Sequence, residues 1–487
     1  MSDEIRKIEP IAVWNNFADL NEVPRASKKE EQVIEFIKEF GNSLELETYE
    51  DTVGNVIIKK PATKGLENRK TVVLQAHLDM VHQKNNDTDF DFSTEGIKMY
   101  IEGDWVKAEG TTLGADNGLG VAAIMAILEN KDIPHPELEA LFTIDEETGM
   151  TGAKNLDNEI LKGEILLNLD TEEDDEIGIG CAGGVDITAT QEYKPEKPAA
   201  EISAFFIKIK GLNGGHSGMD IIKGLGNANK LMNRLLYEAY IQSDLQIVSI
   251  DGGGLRNAIP RESEAIVLVP KSKLSAFEEA FENTSNVIKE EYSSLEEELE
   301  ITLIESEVPT QVMSSELTEK LLKTIYAAHN GVYRMSPDVE GLVETSNNIA
   351  RVEVSQGKIT VLCLTRSSVE SGKADLAQTL KSAFELGGFD VETSGDYPGW
   401  QPNPDSEILE VLKAVYEKQN KEKPKVEACH AGLECGILLD HYPNLDTVSF
   451  GPTIRGAHSP DERASISSTQ KFWKFLLEVL EGIPERG

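Results

Sequence analysis

Two histidines and five carboxylates, widely spaced along the chain, have the types and order to do chemistry together: His77, Asp79, Asp116, Glu146, Glu147, Asp170 and His458. His77 and Asp79 lie two residues apart at the end of an apolar run, Leu74-Gln-Ala-His-Leu-Asp-Met80. Strand side chains alternate, so both point the same way, and one can ligate a metal while the other serves as a nearby acid or base. Taken alone, His-x-Asp is explained equally well by a satisfied histidine at a strand end. The partners that follow in order shift the weight. Histidines and carboxylates without a thiolate suit zinc, or cobalt and manganese. The set exceeds what one tetrahedral ion needs and matches a two-metal site, in which ions roughly 3.5–4 Å apart share a bridging carboxylate and a water. The Glu146-Glu147 pair fits that chemistry: one side chain ligates, and the other stays free to take the water's proton.

These residues need a scaffold that gathers them. Apolar runs at 71–76, 138–144 and 165–169 read as strands ending on His77, on Asp145-Glu146-Glu147 and on Asp170. A further strand is expected at 53–59 and another at 447–450. Gly110-Thr-Thr-Leu-Gly-Ala-Asp116-Asn-Gly118 reads as a loop leading into an apolar helix at 119–128. Ser27-Lys-Lys-Glu30 reads as a capping box before a helix with Val33, Ile34, Ile37 and Phe40 on one face and Gly41 as its stop. Strands alternating with helices predict an α/β domain with a mainly parallel sheet, and ligands of such sheets collect beyond the carboxyl ends of the strands.

Near residue 186 the pattern changes. The segment 188–198 is polar, carries Pro195 and Pro198, and reads as a crossing into a second domain. The order strand 204–210, helix 224–240, strands 245–249 and 264–269, helix 274–292 and strand 299–304 is ferredoxin-like. It partly recurs after residue 317, which predicts a second lobe. The segment 397–405, with three prolines, reads as the return crossing. The expected organisation is a catalytic domain in two parts, 1–186 and 398–487, interrupted by an inserted α+β lid domain, 187–397.

At 487 residues the chain is too long for one ordinary core. Its formal charge of −39 repels phosphate backbones and anionic membranes, so nucleic acid and membrane are poor partners. The N-terminal residues show no apolar signal region, and the apolar run 121–128 is far too short to span a bilayer. The four cysteines, Cys181, Cys363, Cys429 and Cys435, fit no disulfide framework or common zinc spacing, which suggests reduced thiols in a cytoplasm.

His-x-Asp, Gly-Ala-Asp-Asn-Gly, Glu-Glu-Thr-Gly, Asn-Leu-Asp and a late histidine together resemble the aminoacylase and carboxypeptidase-type dinuclear zinc metallopeptidases. Within them, Leu113-Gly-Ala-Asp-Asn-Gly118, Asn168-Leu-Asp170 and His430-Ala-Gly-Leu-Glu-Cys-Gly436 are similar to the aminoacyl-histidine (Xaa-His, or cytosol non-specific) dipeptidases. The resemblance covers nearly the whole chain. It implies two divalent ions, zinc foremost, with Asp116 bridging, His77 and Asp170 completing one metal, and Glu147 and His458 the other. It implies that Asp79 fixes a ligand histidine, that Glu146 is the general base, and that the Asp116–Asn117 peptide is cis. From the lid it adds three substrate-binding residues: His216 in Gly214-Gly-His-Ser-Gly218, Asn257 in Arg256-Asn-Ala-Ile-Pro260, and Arg366 in Leu364-Thr-Arg-Ser367.

The implied activity is hydrolysis of unblocked dipeptides, some ending in histidine, in the cytoplasm. A tripeptide aminopeptidase of the same family is the alternative enzyme, although its loop usually reads Gly-Ala-Asp-Asp-Lys. A catalytically silent peptide-binding protein is the alternative of another class. Pairing of subunits into a homodimer is left open. For His430, pocket-lining and packing stay equally open. His82, His135, His329 and His441 read as structural. The acidic run Glu172–Glu176 reads as a solvated loop, with attraction of a substrate ammonium as its other reading.

Overall fold

A computed structural model of the protein describes residues 2–487, and these form two compact units. The first comprises the chain up to Cys181, Trp400–Ala428 and Leu433–Gly487; the inserted unit comprises Ala182–Gly399 and Cys429–Gly432. The sequence reading places the crossings after 186 and 397; the units part after 181 and 399.

In the first unit, eight strands lie in the order Glu47–Glu50, Val56–Lys60, Leu138–Thr143, Val72–His77, Ile165–Asn168, Asp446–Ser449, Glu176–Cys181 and Lys425–Cys429. Strands 138–143, 72–77, 165–168 and 446–449 run parallel and are buried along most or all of their length, which is why they read as continuous apolar runs. The flanking pairs resolved in register are antiparallel, so the sheet is mixed: the 47–50 and 56–60 strands form a hairpin, which needs no crossover. Helix Ala115–Glu129 is buried from Leu119 to Leu128, as its all-round apolar sequence requires.

Two local expectations change. The helix after Ser27 is Glu31–Ser43, and it has no capping box. Ser27 Oγ instead donates to Met80 O at 3.1 Å, and the Glu30 carboxylate takes the Lys28 N–H at 2.8 Å. An isolated bridge between Ala26 and Met80 draws this segment to the end of the His77 strand. Gly41 sits inside the helix, where a side chain would meet Thr48 and Ile58, and is not its stop.

The inserted unit is built on one nine-stranded sheet. Strands Ile202–Lys210, Gln246–Gly253, Ser263–Pro270 and Glu300–Ser306 with helices Ala228–Ser243 and Leu274–Glu291 form a ferredoxin-like lobe, its strands in the spatial order fourth, first, third, second. A second lobe repeats that order with strands Gly183–Glu192, Val343–Ser355, Lys358–Ser367 and Asp390–Tyr397 and helices Ser315–Ala327 and Glu370–Leu386. The lobes join antiparallel through their second strands, 246–253 and 343–355. The first lobe lies in sequence between the first strand and first helix of the second. This corrects the expected crossing at 188–198: its first residues are that first strand, whose alternating burial escapes a reading based on polarity. Helices of both lobes contribute to one core. Among the described residues, no helix is long and apolar enough to cross a membrane.

Candidate functional site

The parallel strands deliver the expected residues to one end of their sheet. His77 closes strand 72–77, Asp170 follows strand 165–168, and Glu146 and Glu147 follow strand 138–143 across Asp145, whose φ is 54°. Asp116 and Asn117 have non-helical backbone angles at the start of helix Ala115–Glu129, and the bond between them is cis. His458 comes from a distant loop, with φ 64°.

Asp116 lies between two imidazoles. Its Oδ1 is 3.2 Å from His77 Nε2, and its Oδ2 is 3.2 Å from His458 Nε2. His77 Nε2 is also 3.5 Å from Asp170 Oδ1, and His458 Nε2 is 3.0 Å from Glu147 Oε2. Asn117 holds Asp170 through a side-chain hydrogen bond and donates to Leu169 O at 2.9 Å. Asp79 is buried behind His77: its backbone O is 3.1 Å and its Oδ1 3.3 Å from His77 Nδ1, and its carboxylate accepts the backbone N–H groups of Glu146 at 3.0 Å and Glu147 at 3.3 Å. One residue thus fixes the ring of His77 and the turn bearing both glutamates.

The donor set fits metal. His77–Asp116–Asp170, Asp116–Glu147–His458 and His77–Glu146–Glu147 each bring three ligand atoms within 4.8 Å of one another. Glu147 Oε1 is buried without a hydrogen-bond partner. Hydrogen bonds to Asp116 and Glu147 push His458 up to about 11. Burial lowers the pKa of His77, but Asp170, Asp116 and Asp79 outweigh it and raise it well above its ordinary value. Burial works against the charge on Asp116 too, yet His458 and His77 hold it well below the usual carboxylate range. Burial, with the charges of Asp170, Glu434 and Glu147, raises Glu146 well above its ordinary value against the pull of His77. Imidazolium protons thus balance the carboxylates here, and divalent cations can take their place.

Sequence reasoning missed the residues that hold this cluster from behind. Glu462, four positions after His458 and buried, accepts the N–H groups of Leu113, Gly114, Ala115 and Asp116 at 2.7, 2.9, 2.7 and 3.3 Å. Arg25 lies buried under the same loop and donates to Gly114 O at 2.5 Å, Leu78 O at 3.2 Å and Asp79 O at 3.3 Å. A side chain at Gly114 or Gly118 would meet its guanidinium, and Gly114 has φ +70°, which explains the glycines of the Gly-Ala-Asp-Asn-Gly loop.

Beneath the cluster, a hydrogen-bonded row crosses the four parallel strands. Ser449 donates to Asn168 at 2.5 Å, Asn168 to Gln75 at 2.5 Å, and Gln75 and Thr143 to buried Glu434 at 2.8 and 2.6 Å. Burial pushes Glu434 up to about 8. Glu434 stands inside the His430–Gly436 motif, but only its burial shows its place in this row. The acidic run after Asp170 is not freely solvated: Glu173, Asp174 and Asp175 pair with Arg455 at 2.7 Å, Lys471 at 2.8 Å and Lys425 at 3.0 Å. Those cations come from the C-terminal part, which the run's own sequence cannot show. Among the described residues none of the four cysteines is in a disulfide.

The other expected residues belong to the inserted unit. Arg366 is buried on strand 358–367, and its Nη1 donates to Tyr397 Oη at 2.8 Å. His216 pairs in register with Ala258, the neighbour of exposed Asn257, and its Nδ1 accepts the N–H of Gly218 at 3.2 Å and of Met219 at 3.1 Å. His430 is buried in this unit, its Nε2 2.7 Å from Ser346 Oγ. Burial, Arg366 and His216 lower His430 to about 3, so it is neutral.

The sequence model of Peptidase family M20/M25/M40 matches residues 73–482. The cytosol non-specific dipeptidase of Escherichia coli (strain K12) is 41% identical over 483 residues, 99% of this chain and 100% of the relative. The crystal structure of aminoacylhistidine dipeptidase from Vibrio alginolyticus superposes with a TM-score of 0.95 at 44% identity, covering 100% of both chains. The aminopeptidase PepT of Bacillus cereus shares the fold, with a TM-score of 0.57 at 18% identity over 98% of this chain and 99% of its own.

Proposed function

The chain belongs to Peptidase family M20/M25/M40, and from that premise we propose that it is a cytoplasmic, metal-dependent dipeptidase acting on unblocked dipeptides, Xaa-His among them. The observation that carries the reading is the Asp116 carboxylate between two imidazoles, each 3.2 Å from a different oxygen. The end-to-end identity to relatives named as dipeptidases supports it over the tripeptide aminopeptidase, since the peptidase T of Citrobacter koseri aligns over 52 residues, 10% of this chain.

In this reading His77, Asp116 and Asp170 would hold one divalent ion, and Asp116, Glu147 and His458 the other. Two such ions, zinc foremost and cobalt or manganese as substitutes, supply Lewis acidity at the scissile carbonyl and lower the pKa of a water toward about 7. Glu146 takes a proton from the attacking water as its oxygen bonds to the carbonyl carbon, then returns it to the leaving amine nitrogen as the C–N bond breaks. Asp79 holds the His77 ring by its Nδ1 side, which leaves Nε2 toward Asp116 and Asp170. For substrate, Arg366 is assigned the free carboxylate, with His216 and Asn257 as polar partners.

A hydrolysis screen over free dipeptides, their C-amidated and N-acetylated forms and tripeptides, with added zinc, cobalt or manganese, tests the reading. Free dipeptides are expected to be cleaved best. Equal kcat/KM on free and C-amidated dipeptides overturns it, and so does the absence of turnover with every metal.

A further inference from the structure

The inserted unit carries a second, unassigned device: four consecutive polar residues, Thr345-Ser-Asn-Asn348, all buried in strand Val343–Ser355. Buried polar groups in a central strand need partners. Thr345 Oγ1 lies 2.9 Å from Ser367 Oγ, and Asn347 donates to His329 O at 2.7 Å and accepts from Thr365 Oγ1 at 3.1 Å. Those bonds tie the strand to the scaffold.

Ser346 and Asn348 do something else. Two residues apart, they share one face of the sheet, about 7 Å from each other. Ser346 stands opposite Arg366 in register, so Arg366 is on that face as well. Ser346 Oγ is the 2.7 Å partner of His430 Nε2. Asn348 Nδ2 donates to Arg256 O at 3.1 Å and Ala258 O at 2.8 Å, the two carbonyls flanking Asn257, and its Oδ1 accepts from Asn227 Nδ2 at 3.2 Å. Asn257 O in turn accepts the Ser217 N–H at 2.8 Å, and Ala258 is the register partner of His216. Arg366, His430, Asn257 and His216 therefore all take their positions from one short stretch of strand.

We propose that Ser346 and Asn348 are positioning residues for recognition of a substrate carboxylate: their register sets the spacing between the Arg366 guanidinium, the His430 imidazole and the two paired segments that carry Asn257 and His216. The inference rests on the reading that Arg366 takes the substrate's free carboxylate. It adds that the preference for a free C-terminus depends on two neutral residues that touch no substrate. A slipped or loosened loop leaves Arg366 in place but removes the polar partners that make the carboxylate fit.

The test compares Asn348→Asp, Ser346→Ala and Ser346→Thr with the wild type, in the full chain loaded with zinc. Asn348→Asp keeps the shape but turns an acceptor toward two carbonyls. Expected are unchanged metal content, a KM for free dipeptides raised at least about tenfold, and little change in kcat or in kcat/KM for the C-amidated dipeptide. Ser346→Ala is expected to act in the same direction by about threefold, and Ser346→Thr, which keeps the hydroxyl, to restore the wild-type value. Hydrogen exchange at the Ser217 amide is the second readout: Asn348→Asp is expected to speed it while strands of the same sheet stay protected. Equal losses on free and amidated substrates, or an unmoved Ser217 exchange rate, overturn the proposal. If the wild type shows no preference for the free carboxylate, the substrate reading fails instead, and the exchange rate alone decides whether Asn348 positions the loop.

Discussion

In the first unit seven titratable side chains are fixed by backbone amides and buried ions around them, whereas in the inserted unit the candidate binding groups are fixed by neutral amides and hydroxyls, those of strand Val343–Ser355 foremost. The difference follows from what each group needs. Close-packed carboxylates repel one another, so the loop that carries Asp116 is held by four N–H groups donating to Glu462 and by the Arg25 guanidinium. Arg366 is one cation, and its surroundings need only orient it, for which the Tyr397 hydroxyl and a strand register suffice. A charge cluster tolerates little loss of its frame; a neutral one fails by degrees.

The sharpest break in that comparison is expected at the two adjacent glutamates. Glu146→Gln keeps the shape and removes the base, so kcat is expected to fall about 10²–10⁴-fold with metal retained. Glu147→Gln is expected to lose metal, because its carboxylate faces His458 across 3.0 Å. Metal analysis beside kinetics checks both, and equal metal contents would remove the division of labour.

His458→Ala is expected to lower the bound metal from two ions toward one without unfolding the chain. In the metal-free protein His458 titrates at about 11, so at neutral pH it is protonated and an incoming ion must displace that proton. Apparent affinity is therefore expected to rise with pH across the neutral range, and the variant to release fewer protons. Calorimetry in buffers of different ionisation enthalpy counts them.

Glu462→Gln tests the frame rather than the ligands. It replaces a carboxylate that accepts four N–H groups with an amide that has one acceptor oxygen. Metal affinity is expected to fall about 10–100-fold, the range for partners that orient ligands, with the melting temperature lowered as well. An unchanged affinity would mean that the Asp116 loop holds itself.

The smallest of these effects belongs to the inserted unit. Arg366→Ala is expected to cut the preference for free over C-amidated dipeptides about tenfold or more while leaving metal content alone. A preference that survives the substitution would assign the carboxylate to another group.

The parallel core was legible because strands buried on both faces are written as apolar runs, as in Val72-Val-Leu, and the ligands at their ends stand out against them. The first inserted lobe was legible from its alternation of helices and strands. Its partner was legible only in part, since its first strand, Gly183–Glu192, is separated from the rest by the whole first lobe. The capping box at Ser27 misled because Lys28 turns the chain with φ 64° and the helix starts only at Glu31, while the Ser27 N–H and hydroxyl both donate to Met80 O.

By itself, then, the sequence determined the chemical inventory: which side chains can bind metal or move a proton, and that they follow strand ends. Side-chain type and local periodicity are properties of short stretches, and short stretches can be read. Tertiary structure alone decided which of 86 acids became Glu462 and Glu434, buried and paired, and which stayed on the surface. It also decided that Ser346 faces Arg366 and His430 while Asn348 faces the Asn257 loop. Burial and register depend on what packs against a residue from far along the chain, and that partner is not written in the residue's own neighbourhood.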